Sequence, residues 1–259
     1  MLPLNGLTAF ITGAGQGIGR AIAEALALGG AALYLADING GAVQEVAASL
    51  SSGGAHAQSL ALDVANRDAC FNAASTLTQD GKKIDILVNA AGIYKAAPFL
   101  AHTNADFQRL LDINLFGVIN LSQAFLPGMQ ERGFGRIVNI ASTAGKSGQP
   151  NQSAYNISKH AVIGLTRCLA VEYVKSGITV NAVCPGPVQS SMLDGLRQAQ
   201  AQAHDISPEA FTASMLARVP LGRFLEPAEI AGLVAYLVQP NASGITGQSL
   251  NVDGGMHPL

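Results

Sequence analysis

This sequence predicts a doubly wound α/β fold on a seven-stranded parallel sheet, and three observations carry that reading. Seven short β-branched or aliphatic runs alternate with longer helical stretches. The runs are apolar nearly throughout instead of alternating with polar residues, and no internal repeat, low-complexity segment or linker interrupts the rhythm. Continuous apolar runs mark strands covered on both faces, which in this order means right-handed crossovers with helices on both sides of the sheet. With 259 residues, 49% of them hydrophobic and 12% charged, the chain can bury one large core and is read as a single domain over 1–259.

The elements follow in order. TAFIT (8–12) is the first strand and opens through a glycine-rich turn into a helix from about Gly17 to Leu28. AALYLAD (31–37) precedes a second helix near 40–50. SLALDV (59–64), IDILVNAAG (84–92), GRIVNIAS (135–142) and ITVNAVCPG (178–186) are the next strands, and SLNVDGG (249–255) closes the series. The uncharged run from Ile113 to Gln130 carries Asn, Ser, Gln, Gly and Pro, which suits a buried amphipathic helix better than a membrane span. The long break in the rhythm lies at about 186–226, where polar, Ala/Gln-rich, weakly helical sequence follows a strand end. A segment of that length in that place is expected to be a substrate lid.

Composition excludes several classes of function. A formal net charge of -2 with scattered Lys and Arg offers no basic patch for nucleic acid. The N-terminal stretch MLPLNGLTAFITG has no basic region, apolar run and cleavage site in succession. Cys70, Cys168 and Cys184 are odd in number and far apart, as reduced thiols in the cytoplasm would be. The histidines show no metal-ligand spacing.

Two motifs carry chemistry. In TGAGQGIG the residues Gly13, Gln16, Gly17, Ile18 and Gly19 sit directly after the first strand and open a helix. Glycine there permits a tight turn and a close backbone approach to a pyrophosphate facing the helix N-terminus, the fingerprint of a Rossmann dinucleotide site. Asp37 ends the second strand 18 residues after Gly19, at the spacing of the acidic group that takes the adenosine ribose hydroxyls. A carboxylate there repels a 2′-phosphate, and neither Gln16 nor Ile38 supplies an offsetting cation, so NAD is expected over NADP. The second motif is SAYNISKHA (153–161), where Tyr155 and Lys159 are i and i+4 and share one helix face. A phenol is a poor base near neutrality, and a nearby cation is expected to lower its pKa. Ser142, at the carboxyl end of a strand, is placed to reach a substrate oxygen.

With these residues assembled, the chain resembles the classical short-chain dehydrogenase/reductase family over essentially its full length. TGAGQGIG is similar to the family's cofactor motif, NAAG (89–92) to its Asn-Asn-Ala-Gly strand end with Ala90 as a departure, and PGPVQS (185–190) to its Pro-Gly motif. Asn114, Ser142, Tyr155 and Lys159 match its catalytic tetrad. The resemblance implies that Tyr155 is general base toward a secondary alcohol or acid toward the ketone, that Lys159 lowers its pKa, that Ser142 orients the reacting oxygen and that Asn114 holds a relay water. It further implies Asp63 and Val64 at the adenine, Asn89 and Gly92 along the adenosine ribose, and Pro185, Val188 and Ser190 by the carboxamide. It also implies a homotetramer using the Ile113–Gln130 helix and the helix of Tyr155.

The substrate is less legible. Tyr94, Ala144, Gln149, Gln152, Pro187, Met192, Leu193 and Leu196 are candidates for the pocket wall and lid. AGIYKAAPF and SAYNISKHAVIGLT resemble 3-hydroxybutyrate dehydrogenases, but Tyr94, Ala144 and Gln152 stand where those enzymes put polar and cationic residues. A buried carboxylate would then lack a partner, so a neutral secondary alcohol or ketone is expected. The alternatives are a 3-oxoacyl-(acyl-carrier-protein) reductase, with Arg132 and Lys175 as its only docking cations, a 3-hydroxybutyrate dehydrogenase, and a silent cofactor-sensing protein.

Overall fold

A computed structural model of the chain describes residues 3–203 and 205–257. Its strands are β1 (Thr8–Thr12), β2 (Ala32–Asp37), β3 (Ala57–Ala61), β4 (Ile86–Asn89), β5 (Gly135–Ile140), β6 (Ile178–Pro185) and β7 (Ser249–Val252). They form one parallel sheet in the order β3-β2-β1-β4-β5-β6-β7. The chain begins in the middle, builds outward to β3, then returns to lay β4 against the other side of β1. That reversal leaves a crevice at the carboxyl ends of the central strands.

The helices are α1 (Gly17–Leu28), α2 (Gly40–Ser52), α3 (Arg67–Gln79), α4 (Asn104–Leu111), α5 (Gly117–Arg132), α6 (Ser153–Tyr173), α7 (Ser191–Ala203), α8 (Pro208–Leu216) and α9 (Pro227–Leu237). On one sheet face Ile22 and Leu26 of α1 and Ile230 and Val234 of α9 close over Leu33, Leu35 and Val88. On the other, Leu121, Phe125 and Met129 of α5 cover Phe10, Leu87 and Ile137, with the Phe10 and Phe125 rings 4.9 Å apart. Each buried Leu, Ile or Phe contributes about 1.5 to 3 kcal/mol, so the two layers hold the strand ends rigidly in place. A polar ladder crosses the second layer. Asn89 Nδ2 donates to Asn139 Oδ1 at 2.8 Å, Asn139 Nδ2 to Thr166 Oγ1 at 2.9 Å, and Thr166 Oγ1 to the Val162 carbonyl at 2.8 Å.

Three expectations about elements need correction. The third strand lies at Ala57–Ala61 instead of 59–64, and it is largely exposed. It pairs only with β2, so as an edge strand it has no neighbour to bury it. The helix expected from Ile113 is broken in phase: a π-helical turn, Asp112–Phe116, joins α4 to α5. The joined stretch Asn104–Arg132 is long and apolar enough by length and composition to cross a membrane, yet half of its most apolar window is buried in this fold. Finally, the weakly helical segment after β6 forms two helices, α7 and α8. Its ends are stitched together, Gln189 N donating to the Leu225 carbonyl at 2.8 Å and Leu225 N to the Pro187 carbonyl at 2.9 Å.

Candidate active site

A cavity of about 480 Å³ opens at the carboxyl ends of the strands. Loops after all seven strands contribute to its wall, together with α6, α7 and α8. Its size suits a small organic ligand.

The first loop shapes one end. Gly17 has φ +54, a left-handed value that side chains resist, and it begins α1. A Cβ on Gly19 would lie 2.1 Å from the Gly13 carbonyl oxygen, so α1 rests directly on the loop. Thr12 Oγ1 accepts from Ala90 N and Ala91 N at 3.0 and 3.1 Å, clipping this loop to the end of β4. Asp37 stands beside it with Oδ2 accepting from Gly15 N at 3.0 Å and Oδ1 from Asn39 N at 2.9 Å. Two backbone amides thus aim a carboxylate along the wall. A bare loop, a helix N-terminus and a pinned carboxylate in succession fit a nicotinamide dinucleotide. Gly13, Gln16, Gly17, Ile18, Gly19, Asp37, Asp63, Val64, Gly92, Pro185, Val188 and Ser190 all line the cavity.

Asn89 does not. Its side chain lies across the sheet toward β5, where Nδ2 donates to Asn139 Oδ1 at 2.8 Å.

Further along, Tyr155 and Lys159 project from α6 toward Ser142. Burial pushes the Tyr155 phenol up to about 12, with the Ser142 hydroxyl hydrogen bond pulling the other way. The expected lowering, which also counts on the charge of a bound nicotinamide, is not present in the protein alone. The Lys159 ammonium lies 5.8 Å from the Tyr155 ring centroid and donates to the Ile140 carbonyl at 2.9 Å, so desolvation of the phenol outweighs it. Burial also lowers Lys159 itself to about 8. Behind the wall, Asn114 sits in the π-helical turn. Its Oδ1 accepts from Ile93 N at 2.8 Å, and its Nδ2 donates to the Ile93 carbonyl and Ser158 Oγ, both at 3.0 Å. The carboxamide therefore braces the loop after β4, with no side-chain donor left for a relay water. Gly92 keeps the passage between Asn114 and Lys159 open: a Cβ there would lie 3.2 Å from Asn114 Oδ1 and 3.6 Å from Lys159 Nζ.

The remaining wall contains Tyr94, Ala144, Gln149, Gln152, Pro187, Met192, Leu193 and Leu196, every substrate candidate named from the sequence. The Tyr94 ring meets Tyr155 edge-on at 5.0 Å, and its hydroxyl accepts from Gln200 Nε2 of α7 at 3.0 Å. Burial pushes the Tyr94 phenol up to about 12. Sequence reasoning missed Phe211, Met215, Arg218 and Met256. Arg109, which sequence reasoning also missed, and Arg218 both line the cavity and correct the view that no cation faces it. The signal for Arg218 was available: an arginine among apolar residues at the end of PEAFTASMLARV.

Comparison with known proteins agrees with this architecture. The family described as enoyl-(acyl carrier protein) reductase matches residues 13–257. Oxidoreductase UcpA of Salmonella typhimurium is 39% identical over 253 residues, 97% of this chain and 95% of that protein. Two solved structures superpose closely. NAD+-bound xylitol dehydrogenase does so with a TM-score of 0.93 at 36% identity, over 97% of this chain and 99% of that one. Gluconate 5-dehydrogenase from Burkholderia cenocepacia J2315, in complex with NADP and tartrate, has a TM-score of 0.91 at 33% identity, over 99% and 97%.

Proposed function

The chain belongs to the short-chain dehydrogenase/reductase family of oxidoreductases acting on CH-OH groups, and from that premise we propose that it interconverts a secondary alcohol and a ketone with NAD. The observation that carries this reading is one cavity holding Asp37 at one end and the Ser142, Tyr155 and Lys159 side chains further along. When bound, the oxidised nicotinamide supplies a hydride acceptor and a positive charge next to the phenol. Tyr155 Oη takes the proton from the carbinol in oxidation and returns it in reduction. Ser142 Oγ holds the reacting oxygen in place. Lys159, already lowered to about 8, titrates close to neutrality and carries the proton onward from the phenol. Asn114 positions the Ile93 loop, which forms part of the same wall. Met192 and Leu196 give the lid an apolar surface toward the cavity.

The preference for NAD over NADP rests on Asp37. Its oxygens accept from the Gly15 and Asn39 amides and it lines the cavity, so a 2′-phosphate held beside it would meet like charge. The carrier-protein reductase alternative is weakened at its docking surface, because Arg132 is tied to the Ile84 carbonyl and to Asp85. A homotetramer and a cytoplasmic location belong to the same proposal. What supports the first is a groove between α5 and α6 of mixed character, with Leu126, Pro127, Leu165 and Leu169 beside Gln123, Gln130 and Glu172. What supports the second is three free cysteines.

The test is nicotinamide absorbance during turnover with NAD and NADP in parallel, against aryl-alkyl carbinols, polyols, secondary hydroxy acids and a 3-oxoacyl thioester. Reduction of NAD by an alcohol with NADP inert is the expected result. NADP preference with thioester reduction would replace this reading by the alternative.

A further inference from the structure

The segment between β6 and α9 carries three guanidinium groups, and they are not alike. Arg197 is paired with Asp194 at 3.2 Å and Arg223 with Glu229 at 2.7 Å. Arg218 has no carboxylate partner among the described residues. Its Nη1 donates instead to Gln149 Oε1 at 3.1 Å, and both residues line the cavity that Tyr155 and Ser142 share. Gln149 belongs to the loop that joins Ser142 to α6. The guanidinium is therefore moored on the wall that carries the reacting groups.

Among the described residues, no acidic side chain lines that end of the cavity. The acidic side chains lining the cavity are Asp37 and Asp63, after β2 and β3, which lie on the far side of β1 from β5. From the same segment, Ser191, Met192, Leu196, Phe211, Ser214 and Met215 also line the cavity. An arginine offers five donors in a rigid fork and keeps its charge at any working pH. Gln149 accepts from one nitrogen, and Arg218 is an exposed residue of the cavity wall, which leaves its other donors accessible to a ligand there.

We propose that Arg218, steadied by Gln149, binds an anionic group, a carboxylate, on the substrate at a distance from the carbinol carbon. The substrate class is then a secondary hydroxy acid and its oxo acid. This rests on the dehydrogenase reading above and replaces the neutral substrate expected from sequence. The cation comes from the lid and not from the strand ends, where Tyr94, Ala144 and Gln152 stand. Carboxylate and guanidinium match in bidentate geometry, which makes the acid preferred over its uncharged ester.

The experiment uses the full-length protein, wild type, Arg218→Met and Arg218→Lys. Initial rates with NAD are measured for 4-hydroxypentanoate through 7-hydroxyoctanoate, each beside its methyl ester. Calorimetric titration of the NADH-bound protein with pentanoate through octanoate, which cannot react, reads binding by itself. The expected result is an acid-to-ester ratio in kcat/KM of about tenfold or more at the best chain length. It falls to near one in Arg218→Met through the acid's KM, with part of the preference regained in Arg218→Lys. Equal ratios in wild type and Arg218→Met would overturn the proposal and reduce Arg218 to a strut between lid and loop. Turnover of esters without Arg218-dependent carboxylate binding overturns the subsite while the dehydrogenase reading stands. Arg218-dependent binding without turnover of any acid or ester upholds the subsite and overturns that reading.

Discussion

Replacing Lys159 by Met should make the cofactor-free protein more stable while removing its activity. Lys159 is 5% exposed, and burial lowers its ammonium from an ordinary 10.5 to about 8. At neutral pH that gap corresponds to about 3 kcal/mol by which the fold disfavours the charged form. Methionine fills similar volume without a charge. Against this, the Ile140 carbonyl loses its 2.9 Å bond, at a cost of about 1 kcal/mol. The net gain is about 2 kcal/mol. Its pH dependence follows from linkage: between pH 8 and 10.5 the unfolded chain binds more protons at this lysine than the folded chain, so wild-type stability rises with pH there. The variant's advantage is full below pH 8, and by about 10.5 only the lost hydrogen bond remains, so that the variant is then the less stable. The chain has no tryptophan, so denaturant unfolding is followed by circular dichroism, at matched protein concentration, at pH 7 and pH 10. A variant less stable than wild type at pH 7, or one whose offset is the same at both pH values, refutes the reasoning.

Further outcomes follow from the site. Tyr155→Phe should retain NADH binding in a fluorescence titration and lose turnover by about 10³-fold or more, since the phenol is the proton donor and acceptor; normal turnover would remove Tyr155 from the mechanism. Gly19→Ala places a Cβ 2.1 Å from the Gly13 carbonyl oxygen, so α1 must lift off the loop. It should cost about 2 kcal/mol in unfolding experiments and weaken NADH binding, and unaltered affinity would show that the loop does not cradle the cofactor. Asp37→Ser combined with Ile38→Arg exchanges a repulsive carboxylate for a cation. The ratio of kcat/KM for NADP to that for NAD should rise about tenfold or more, as a charge-assisted bond worth about 1.5 kcal/mol implies.

Much of this fold was readable because its signals are local. Buried strands such as β5 and β6 are short apolar runs, and Tyr155 and Lys159 are a helical turn apart whatever surrounds them. The features that escaped depend on tertiary context. The bounds of β3 have no hydrophobic pattern to mark them, since an edge strand with exposed Gln58 and Ser59 looks like a loop. The π-helical turn at Asp112–Phe116 is selected by how α4 and α5 each pack, not by its own residues. The direction of the Tyr155 shift could not be read from spacing, because burial of a phenol depends on the lid and on Tyr94. Arg218 stood out locally as an arginine among apolar residues, but its partner Gln149 is far away in sequence, and α8 brings the two together only in the folded chain.

The ladder from Asn89 through Asn139 to Thr166 has a further consequence. Every proton in it points the same way, ending on the Val162 carbonyl. Thr166 follows Lys159 by seven residues and Tyr155 by eleven, close to two and three full turns, so all three lie on one stripe of α6. The ladder therefore fixes the azimuth of that stripe against the sheet, much as a keyway fixes a shaft. It also constrains how the sequence can drift. Losing Asn139 alone strands the Asn89 amide and leaves Thr166 without its donor, each a buried penalty. Apolar replacement of all three together avoids both penalties but frees the helix to rotate. Substitutions at these positions should show strong epistasis, with the triple change milder for stability than the worst single change and more damaging to turnover.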